Sequence, residues 1–267
     1  MSINTIKHDT LEYLVAEGLS CPHAFTTRFG GVSTGSLESL NIGIHRGDNP
    51  ENVLKNYEIL ANALNFDVKN VVLSHQTHTD IVRVVTKEDA GAGLFGPELE
   101  ECDGLITNTP GLALVIFTAD CTPILLHDPV TGAVGAVHAG WRGTAAQIAG
   151  KAIAAMEREF GCRPANIRAA IGPNIGACCF QTHADVPLAM IESFGAEAEE
   201  WIRPANDKFY VNLKELNGFA LRRAGVTHIQ IAEECTVCQS HRFWSHRVTQ
   251  GNRGSQGAII VCKEGKN

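Results

Sequence analysis

A cysteine between two apolar segments is the first residue of the sequence whose position suggests chemistry. Cys121 lies in the segment Thr118-Ala119-Asp120-Cys121-Thr122-Pro123, at a tight turn between two predicted strands. An aspartate before it and a proline two residues after it indicate that the backbone holds the thiol in a defined place. Such a cysteine is a small core residue, a metal ligand or a nucleophile.

A histidine ends the next predicted strand along the chain. His138 is followed by Ala139-Gly140-Trp141-Arg142-Gly143, which leads into a predicted helix beginning at Thr144. Glycines let a backbone approach a ligand closely, and the free N–H groups of a helix N-terminus point toward it. Arg142 adds a forked donor that suits phosphate or carboxylate.

Two more histidines, His75 and His78, follow a third predicted strand. Residues three apart in an extended segment point to opposite faces, so we expect one of the two to bind a metal. One histidine from this segment, with Cys121 and His138, would make a set of two nitrogens and one sulfur. Zinc binds such a set well and keeps its fourth position for water.

The elements that must position these residues are predicted from apolar periodicity and turn residues. A helix is predicted over residues 144–160, with Thr144 as its N-cap and Gly161 as its C-cap. Strands and helices are mixed without strict alternation, which favours one α+β domain over residues 1–267. The predicted strands are residues 71–73, 81–85, 112–118, 124–127, 133–138, 167–171, 228–232 and 257–261, and the other helices are 184–194 and 213–223.

Composition excludes some classes of function. The formal net charge is −7 and no long basic run occurs, which argues against general electrostatic binding of nucleic acid. No apolar stretch approaches a membrane span or a signal segment, so we expect a cytoplasmic protein that binds no membrane. Nine cysteines are an odd count, and in a reducing compartment they are core residues, ligands or nucleophiles rather than disulfides.

Seven segments, in order, resemble a known bacterial family. This family was once named the multicopper polyphenol oxidases, or laccase-domain proteins, and is now described as purine nucleoside phosphorylases with adenosine deaminase activity and as peptidoglycan editing factors. The combination of His-Ala-Gly-Trp-Arg-Gly with Ala-Asp-Cys-x-Pro is specific to it. The segments are residues 25–33, 76–78, 102–107, 118–123, 138–144, 171–176 and 235–238.

The resemblance implies both a fold and a metal site. The family's fold is a four-layer α/β/β/α sandwich, similar to that of cytotoxic necrotising factor. Its zinc ligands correspond to His78, Cys121 and His138, so His78 rather than His75 is the implied histidine. The family usually has glycine after this histidine, where the present chain has Thr79. The implied substrates are purine nucleosides and phosphate, for phosphorolysis and for hydrolytic deamination of adenosine.

Roles in that chemistry follow by position. The candidate catalytic residues are Asp120, Cys121 and His138. Asp120, which precedes Cys121, is the candidate acid or base, or a residue that supports the ligands. Our candidates for contacts with substrate or phosphate are Arg28, Asn41, Gln76 and Arg142. The pair Cys235 and Cys238 is structural in the family, and because no second pair at matching spacing follows it, we expect no zinc there. Cys178 and Cys179 are expected to pack at a helix start.

Three other functions remain open. Cys121 as nucleophile and His138 as base would make a metal-free hydrolase, which suits editing of peptidoglycan precursors. Two histidines and one cysteine also bind copper, usually with a weak axial methionine. Copper is the less favoured metal, because Met156 and Met190 lie on predicted helices away from the motifs and no His-x-His pair occurs. A fourth protein ligand, for example His75, would indicate a structural zinc module instead.

Overall fold

The structure, a computed structural model, describes residues 2–263, so the predicted domain of residues 1–267 extends at both ends outside the described residues. The helices are α1 (Pro50–Leu64), α2 (Trp141–Ala145), α3 (Ile148–Phe160), α4 (Asp185–Phe194), α5 (Leu213–Arg223) and α6 (His246–Thr249). The strands are β1 (Ile3–His8), β2 (Leu11–Ala16), β3 (His23–Thr26), β4 (Val71–Leu73), β5 (Val82–Val84), β6 (Gly104–Thr107), β7 (Ala113–Thr118), β8 (Thr122–His127), β9 (Val134–Ala139), β10 (Arg168–Ile171), β11 (Gln181–Thr182), β12 (Ile202–Ala205), β13 (Lys208–Val211), β14 (His228–Ile231) and β15 (Gln256–Val261).

Two six-stranded sheets form the centre of the molecule. The first sheet has the order β1-β2-β3-β15-β7-β4, and the second has the order β14-β10-β8-β9-β6-β5. Both sheets are mixed, because β4 runs parallel to β7 in the first, and β5 runs parallel to β6 in the second. A small sheet, β11-β13-β12, lies apart from them.

Side-chain alternation along the central strands shows how the sheets stack. In β7, Leu114 and Ile116 pack into a core shared with the second sheet, whereas Val115 faces the other way. Val115 packs in the same cluster as Tyr57 and Leu60 of α1. Each fully buried side chain of this kind stabilises the fold by about 1.5–3 kcal/mol relative to exposure. The first sheet therefore lies between α1 and the second sheet.

The second sheet shows the same alternation with the opposite neighbours. In β8, Leu125 packs into the core between the sheets, whereas Ile124 and Leu126 pack against α3, α4 and α5. The order of layers is thus helix, sheet, sheet, helices, and the predicted α+β sandwich with mixed sheets is confirmed. The likeness to cytotoxic necrotising factor stays a prediction.

The predicted helix 144–160 is wrong at its beginning. Gln147 adopts a left-handed conformation with φ of 56°, which separates α2 from α3. Thr144 lies inside α2 rather than capping a helix, and its buried hydroxyl accepts a hydrogen bond from Asn217 Nδ2 at 2.9 Å. Gly161 is the predicted C-cap, with φ of 64°. Within residues 2–263, none of the helices combines the length and the apolar composition needed to cross a bilayer.

Candidate metal centre

Three side chains from separate segments meet at one end of the second sheet. Strands β8 and β9 pair with Thr122 opposite Ala139, so the turn that carries Cys121 lies beside His138. His78, in the loop after β4, completes the group. Its Nε2 lies 3.9 Å from Cys121 Sγ, and its ring centroid lies 5.1 Å from that of His138 at an angle of 81°. One ligand atom from each residue lies within 4.8 Å of the others.

The geometry of this group suits zinc. In a tetrahedral zinc site with bonds of about 2.3 Å to sulfur and about 2.0 Å to nitrogen, these atoms are separated by about 3.5 Å. The measured distance of 3.9 Å between sulfur and nitrogen is close to that value. Within residues 2–263 the group has three members and His75 is not among them. Three protein ligands leave a coordination position open, which is typical of catalytic rather than structural zinc.

A buried aspartate that the sequence interpretation did not assign positions two of the three ligands. Asp103 is completely buried, and its Oδ1 lies 2.6 Å from His138 Nδ1. The same carboxylate accepts hydrogen bonds from the backbone N–H groups of Thr77, His78 and Thr79. Because Nδ1 of His138 is engaged, Nε2 is the nitrogen left for a metal. The signal in the sequence was a carboxylate immediately before an apolar strand, in the segment Cys102-Asp103-Gly104.

Charge in this group is distributed between the thiol and the imidazole. Burial by itself would raise the pKa of the Cys121 thiol, but the charge of His138 and hydrogen bonds from both histidines lower it to about 6. Burial would likewise lower the pKa of His138, but the Cys121 thiolate and Asp103 raise it to about 9. The protein without metal therefore holds a thiolate beside an imidazolium at neutral pH.

The backbone near the ligands approaches their side chains closely. The ligand His78 has a φ of 66°, and Asp120, which precedes the ligand Cys121, has a φ of 86°. Both angles lie in the left-handed region. At Gly140, an added Cβ would lie 2.9 Å from His78 Cδ2 and 3.3 Å from Cys121 Sγ. Only glycine leaves room at this position for both ligand side chains.

A cleft opens next to the ligand group. His78, Cys121 and His138 line it, together with Arg46 and Arg253. Gln76 also lines it, but both polar ends of this amide bond Phe117 of β7: Oε1 accepts from the N–H at 2.6 Å, and Nε2 donates to the carbonyl at 2.8 Å. Gln76 therefore fixes the His78 loop to the first sheet.

The two arginines in the cleft form a place for an anion. Arg253 is half-buried, and its Nε is buried without a hydrogen-bond partner among residues 2–263. Burial and the nearby charge of Arg46 lower the pKa of Arg253 to about 10. Two neighbouring cations repel each other, and an anion bound between them would relieve that repulsion. The sequence interpretation missed both residues, and the only signal was an Arg-Gly pair in each loop.

Comparison with known proteins now adds to this geometry. Residues 22–263 match the family model described as multi-copper polyphenol oxidoreductase laccase. The chain belongs to this family. It is 37% identical over 244 residues to the purine nucleoside phosphorylase YlmD of Geobacillus stearothermophilus, covering 90% of this chain and 89% of that one. It is also 37% identical over 250 residues to a purine nucleoside phosphorylase of Deinococcus radiodurans, covering 94% and 92%.

A solved structure of this laccase family has the same fold. The crystal structure of YlmD from Geobacillus stearothermophilus superposes with a TM-score of 0.91 at 34% sequence identity, over 97% of this chain and 98% of that one. The likeness extends over nearly the whole described chain. The resemblance drawn from seven segments of sequence is therefore confirmed.

Asp120, a predicted catalytic residue of this laccase-family chain, has its carboxylate oxygens occupied. Oδ1 accepts from the Thr236 hydroxyl at 2.6 Å, and Oδ2 accepts from the Ser245 hydroxyl at 3.0 Å and the Arg247 N–H at 2.7 Å. These bonds tie the Cys121 turn to two loops near the C-terminus. The contacts support a positioning role for Asp120 and leave its predicted part in proton transfer as a prediction.

Three predicted contacts with substrate lie outside the cleft wall. The Arg28 guanidinium lies 4.0 Å from the Trp244 ring centroid, and that of Arg142 lies 4.3 Å from the ring of Trp141. Asn41 is completely buried, and its Oδ1 accepts from the N–H groups of Gly43 and Ser255, which do line the cleft. Neither arginine joins the ligand group, and Asn41 acts on the cleft through its neighbours.

Copper chemistry of the kind that the family's older name describes receives no support from the methionines. Met156 and Met190 are buried in the core between the second sheet and its helices, and Met1 lies outside the described residues. Blue copper sites normally place a weak methionine ligand on the axis of the His₂Cys set. Within residues 2–263, the other group of metal-ligating side chains contains four cysteines and no histidine.

Proposed function

We propose that the chain is a zinc-dependent purine nucleoside phosphorylase that also deaminates adenosine, acting in the cytoplasm. One observation carries the proposal: the three converging ligands and two arginines, Arg46 and Arg253, line the same cleft. The names of the relatives from Geobacillus stearothermophilus and Deinococcus radiodurans support the phosphorylase activity. The substrates are purine nucleosides, namely adenosine, inosine, guanosine or methylthioadenosine, together with phosphate.

The arginines and the ligand group would have separate roles in the reaction. A zinc ion held by His78, Cys121 and His138 would supply Lewis acidity in the cleft. Arg46 and Arg253 would hold phosphate so that one of its oxygens faces C1′ of the ribose. Positioning of this kind can supply much of the rate enhancement, because it replaces a bimolecular encounter by an oriented one.

The bond changes define what else the cleft must provide. A phosphate oxygen forms a bond to C1′, the bond from C1′ to the purine nitrogen breaks, and the purine leaves with a proton. His45, His75 and Glu98 line the same cleft. His45 Nε2 lies 2.8 Å from Glu98 Oε1, and His75 Nε2 lies 3.9 Å from Glu98 Oε2. We assign proton delivery to this group, because its imidazoles line the cleft outside the ligand group and its carboxylate contacts one of them at hydrogen-bond distance.

A panel of nucleosides tests the activity directly. Purified protein is incubated with each of the four nucleosides, with and without phosphate, and the products are identified by mass spectrometry. We expect free base and the sugar 1-phosphate (methylthioribose 1-phosphate from methylthioadenosine, ribose 1-phosphate from the others) only when phosphate is present, and inosine from adenosine in its absence. Recovery of all four nucleosides unchanged under both conditions would refute the proposed activity.

The anion site has its own test. Arg253→Gln is expected to raise KM for phosphate at least about tenfold, because a charge-assisted contact contributes about 1.5–3 kcal/mol. Arg163→Gln removes the same charge from an exposed residue elsewhere and serves as the matched control. Arg28→Gln and Arg142→Gln test the sequence prediction in the same assay. A larger effect in either of these than in Arg253→Gln would move the anion site away from the cleft wall.

A metal-free thiol hydrolase is the second candidate, and the charge state of Cys121 and His138 favours it. A thiolate beside an imidazolium is the resting state of thiol enzymes. Such an enzyme could edit peptidoglycan precursors by forming a bond between Cys121 Sγ and an acyl carbon while the bond from that carbon to the leaving amine breaks. His138 would give the amine its proton, and water would then hydrolyse the thioester and restore the thiol. Activity that survives complete zinc removal but is lost on alkylation supports this candidate. Activity lost with a chelator and restored by zinc supports the phosphorylase.

A further inference from the structure

Four cysteines from two distant segments meet away from the cleft ligands. Cys178 and Cys179 lie in a turn between β10 and β11, and Cys235 and Cys238 lie in the loop after β14. One sulfur from each lies within 4.8 Å of the others. The sequence prediction that Cys178 and Cys179 pack at a helix start is wrong, because α4 begins later, at Asp185. The partner of the Cys-x-x-Cys pair thus precedes it in the chain.

The sulfur positions match a tetrahedral metal site. With bonds of about 2.3 Å to zinc, two sulfurs of such a site lie about 3.8 Å apart. Cys238 Sγ lies 3.6 Å from Cys178 Sγ and 3.5 Å from Cys179 Sγ. A disulfide would bring two of them to about 2.05 Å, and all four cysteines are free thiols.

The surroundings of the four sulfurs suit a negatively charged complex. The Gly176 N–H donates to Cys235 Sγ at 3.2 Å. Lys214 is buried nearby, and its ammonium donates to the carbonyl oxygens of Ala232 and Glu234, at the start of the same loop. Backbone donors and a buried cation of this kind offset the charge of thiolates. Cys178 and Cys238 are exposed, so an ion can enter from solvent.

We propose that Cys178, Cys179, Cys235 and Cys238 bind a second zinc ion through four thiolates. Four protein ligands close the coordination shell, so this site is structural rather than catalytic. A closed site of this type contributes to folding, because metal binding and ordering of its loops occur together. The ion would join two loops that the chain places 57 residues apart, counted from Cys178 to Cys235.

Residues of these loops also form hydrogen bonds that help to position the cleft ligand Cys121. Thr236, next to Cys235, donates to Asp120 Oδ1, and Asp120 precedes Cys121. Arg247 donates from its backbone to Asp120 Oδ2 and from its guanidinium to the Cys179 carbonyl. The four-cysteine site therefore holds the Thr236 loop directly and contacts Arg247 through the Cys179 carbonyl. Loss of the second zinc is expected to loosen the Cys121 turn without removing any ligand of the first.

Metal content of variants separates the two sites. Protein purified without chelator from zinc-supplemented culture is analysed by mass spectrometry for zinc per chain. We expect two zinc ions in the wild type, one in Cys121→Ser, and none in the double variant Cys121→Ser with Cys238→Ser. Cys162→Ser is the control, because Cys162 is a buried cysteine whose sulfur already lies 3.2 Å from the Thr131 hydroxyl, and it should keep both ions.

X-ray absorption at the zinc edge of Cys121→Ser keeps the proposal testable if the double variant does not fold. The proposal expects four sulfur neighbours at about 2.3 Å. A zinc shell with nitrogen or oxygen in it, or a Cys121→Ser protein free of zinc, overturns the second site. A wild type with one zinc that survives Cys121→Ser and disappears in Cys238→Ser supports the second site while it contradicts the first.

Discussion

Replacement of Asp103 by asparagine is the most informative single change in the cleft. Asp103 Oδ2 accepts from the N–H groups of Thr79 and Thr77, and Oδ1 contacts His138 Nδ1. An amide keeps the shape but puts an NH₂ group in place of one oxygen. Turned toward Thr77 and Thr79, the NH₂ faces two donors. Turned toward His138, it requires Nδ1 to accept and moves the ring proton to Nε2, the nitrogen left for the metal.

The size of the effect follows from the bonds that are lost. Two hydrogen bonds to a buried carboxylate contribute about 1.5–3 kcal/mol each, so the metal-free variant should be less stable by roughly 3–6 kcal/mol. Residues that orient a ligand histidine typically change metal affinity or activity by about 10–100-fold. We therefore expect both a weaker fold and weaker zinc binding from one change outside the ligand set.

Two assays measure these effects. Urea unfolding of metal-free protein gives the free energy of unfolding, and competition with a chromophoric chelator gives the zinc affinity. Asp80→Asn is the control, because Asp80 follows Thr79 and pairs with Lys151 at the surface, where an ion pair contributes about 0–1 kcal/mol. An Asp103→Asn protein as stable as Asp80→Asn, with zinc affinity equal to the wild type, would refute the assigned role.

Three further predictions concern the same site and its supports. In metal-free protein, alkylation of Cys121 by iodoacetamide should rise with pH around a midpoint of about 6, because the thiolate forms as pH passes the lowered pKa; His138→Gln should move that midpoint upward. Gly140→Ala should weaken zinc binding in a chelator titration while circular dichroism stays unchanged, since the added methyl group displaces His78. Lys214→Met should lower the free energy of unfolding by about 2–5 kcal/mol in urea, because two buried carbonyls lose their donor.

Much of the fold could be predicted from local pattern. The strands next to the ligands are apolar segments of three to six residues, and β4 and α5 have the predicted bounds. Periodicity could not show the break at Gln147, because its left-handed conformation interrupts the helix without interrupting the apolar pattern. It also gave no strand over residues 3–8, which form the edge strand β1, or over residues 11–16, which form its neighbour β2.

The ligands that lie in recognisable motifs could be predicted from the sequence. The arginines of the cleft could not, because they come from loops far apart in the chain. Cys121 lies just before β8 and His138 lies near the end of β9, and their approach depends on the pairing of these two strands, which spacing along the chain does not reveal. Arg46 and Arg253 are 207 positions apart and each is an ordinary loop arginine by sequence. Their common cleft exists only after the two sheets have stacked. The four cysteines illustrate the same limit, because the two pairs are joined by tertiary contacts alone.

Anomalous diffraction at the zinc edge, from crystals of the full-length wild type grown without chelator, tests the central claim most directly. The account predicts a peak bonded to Cys121 Sγ at about 2.3 Å and to nitrogens of His78 and His138 at about 2.0–2.1 Å, with no fourth protein atom. A difference map with no peak among these three side chains, from protein that still converts nucleosides, would contradict it.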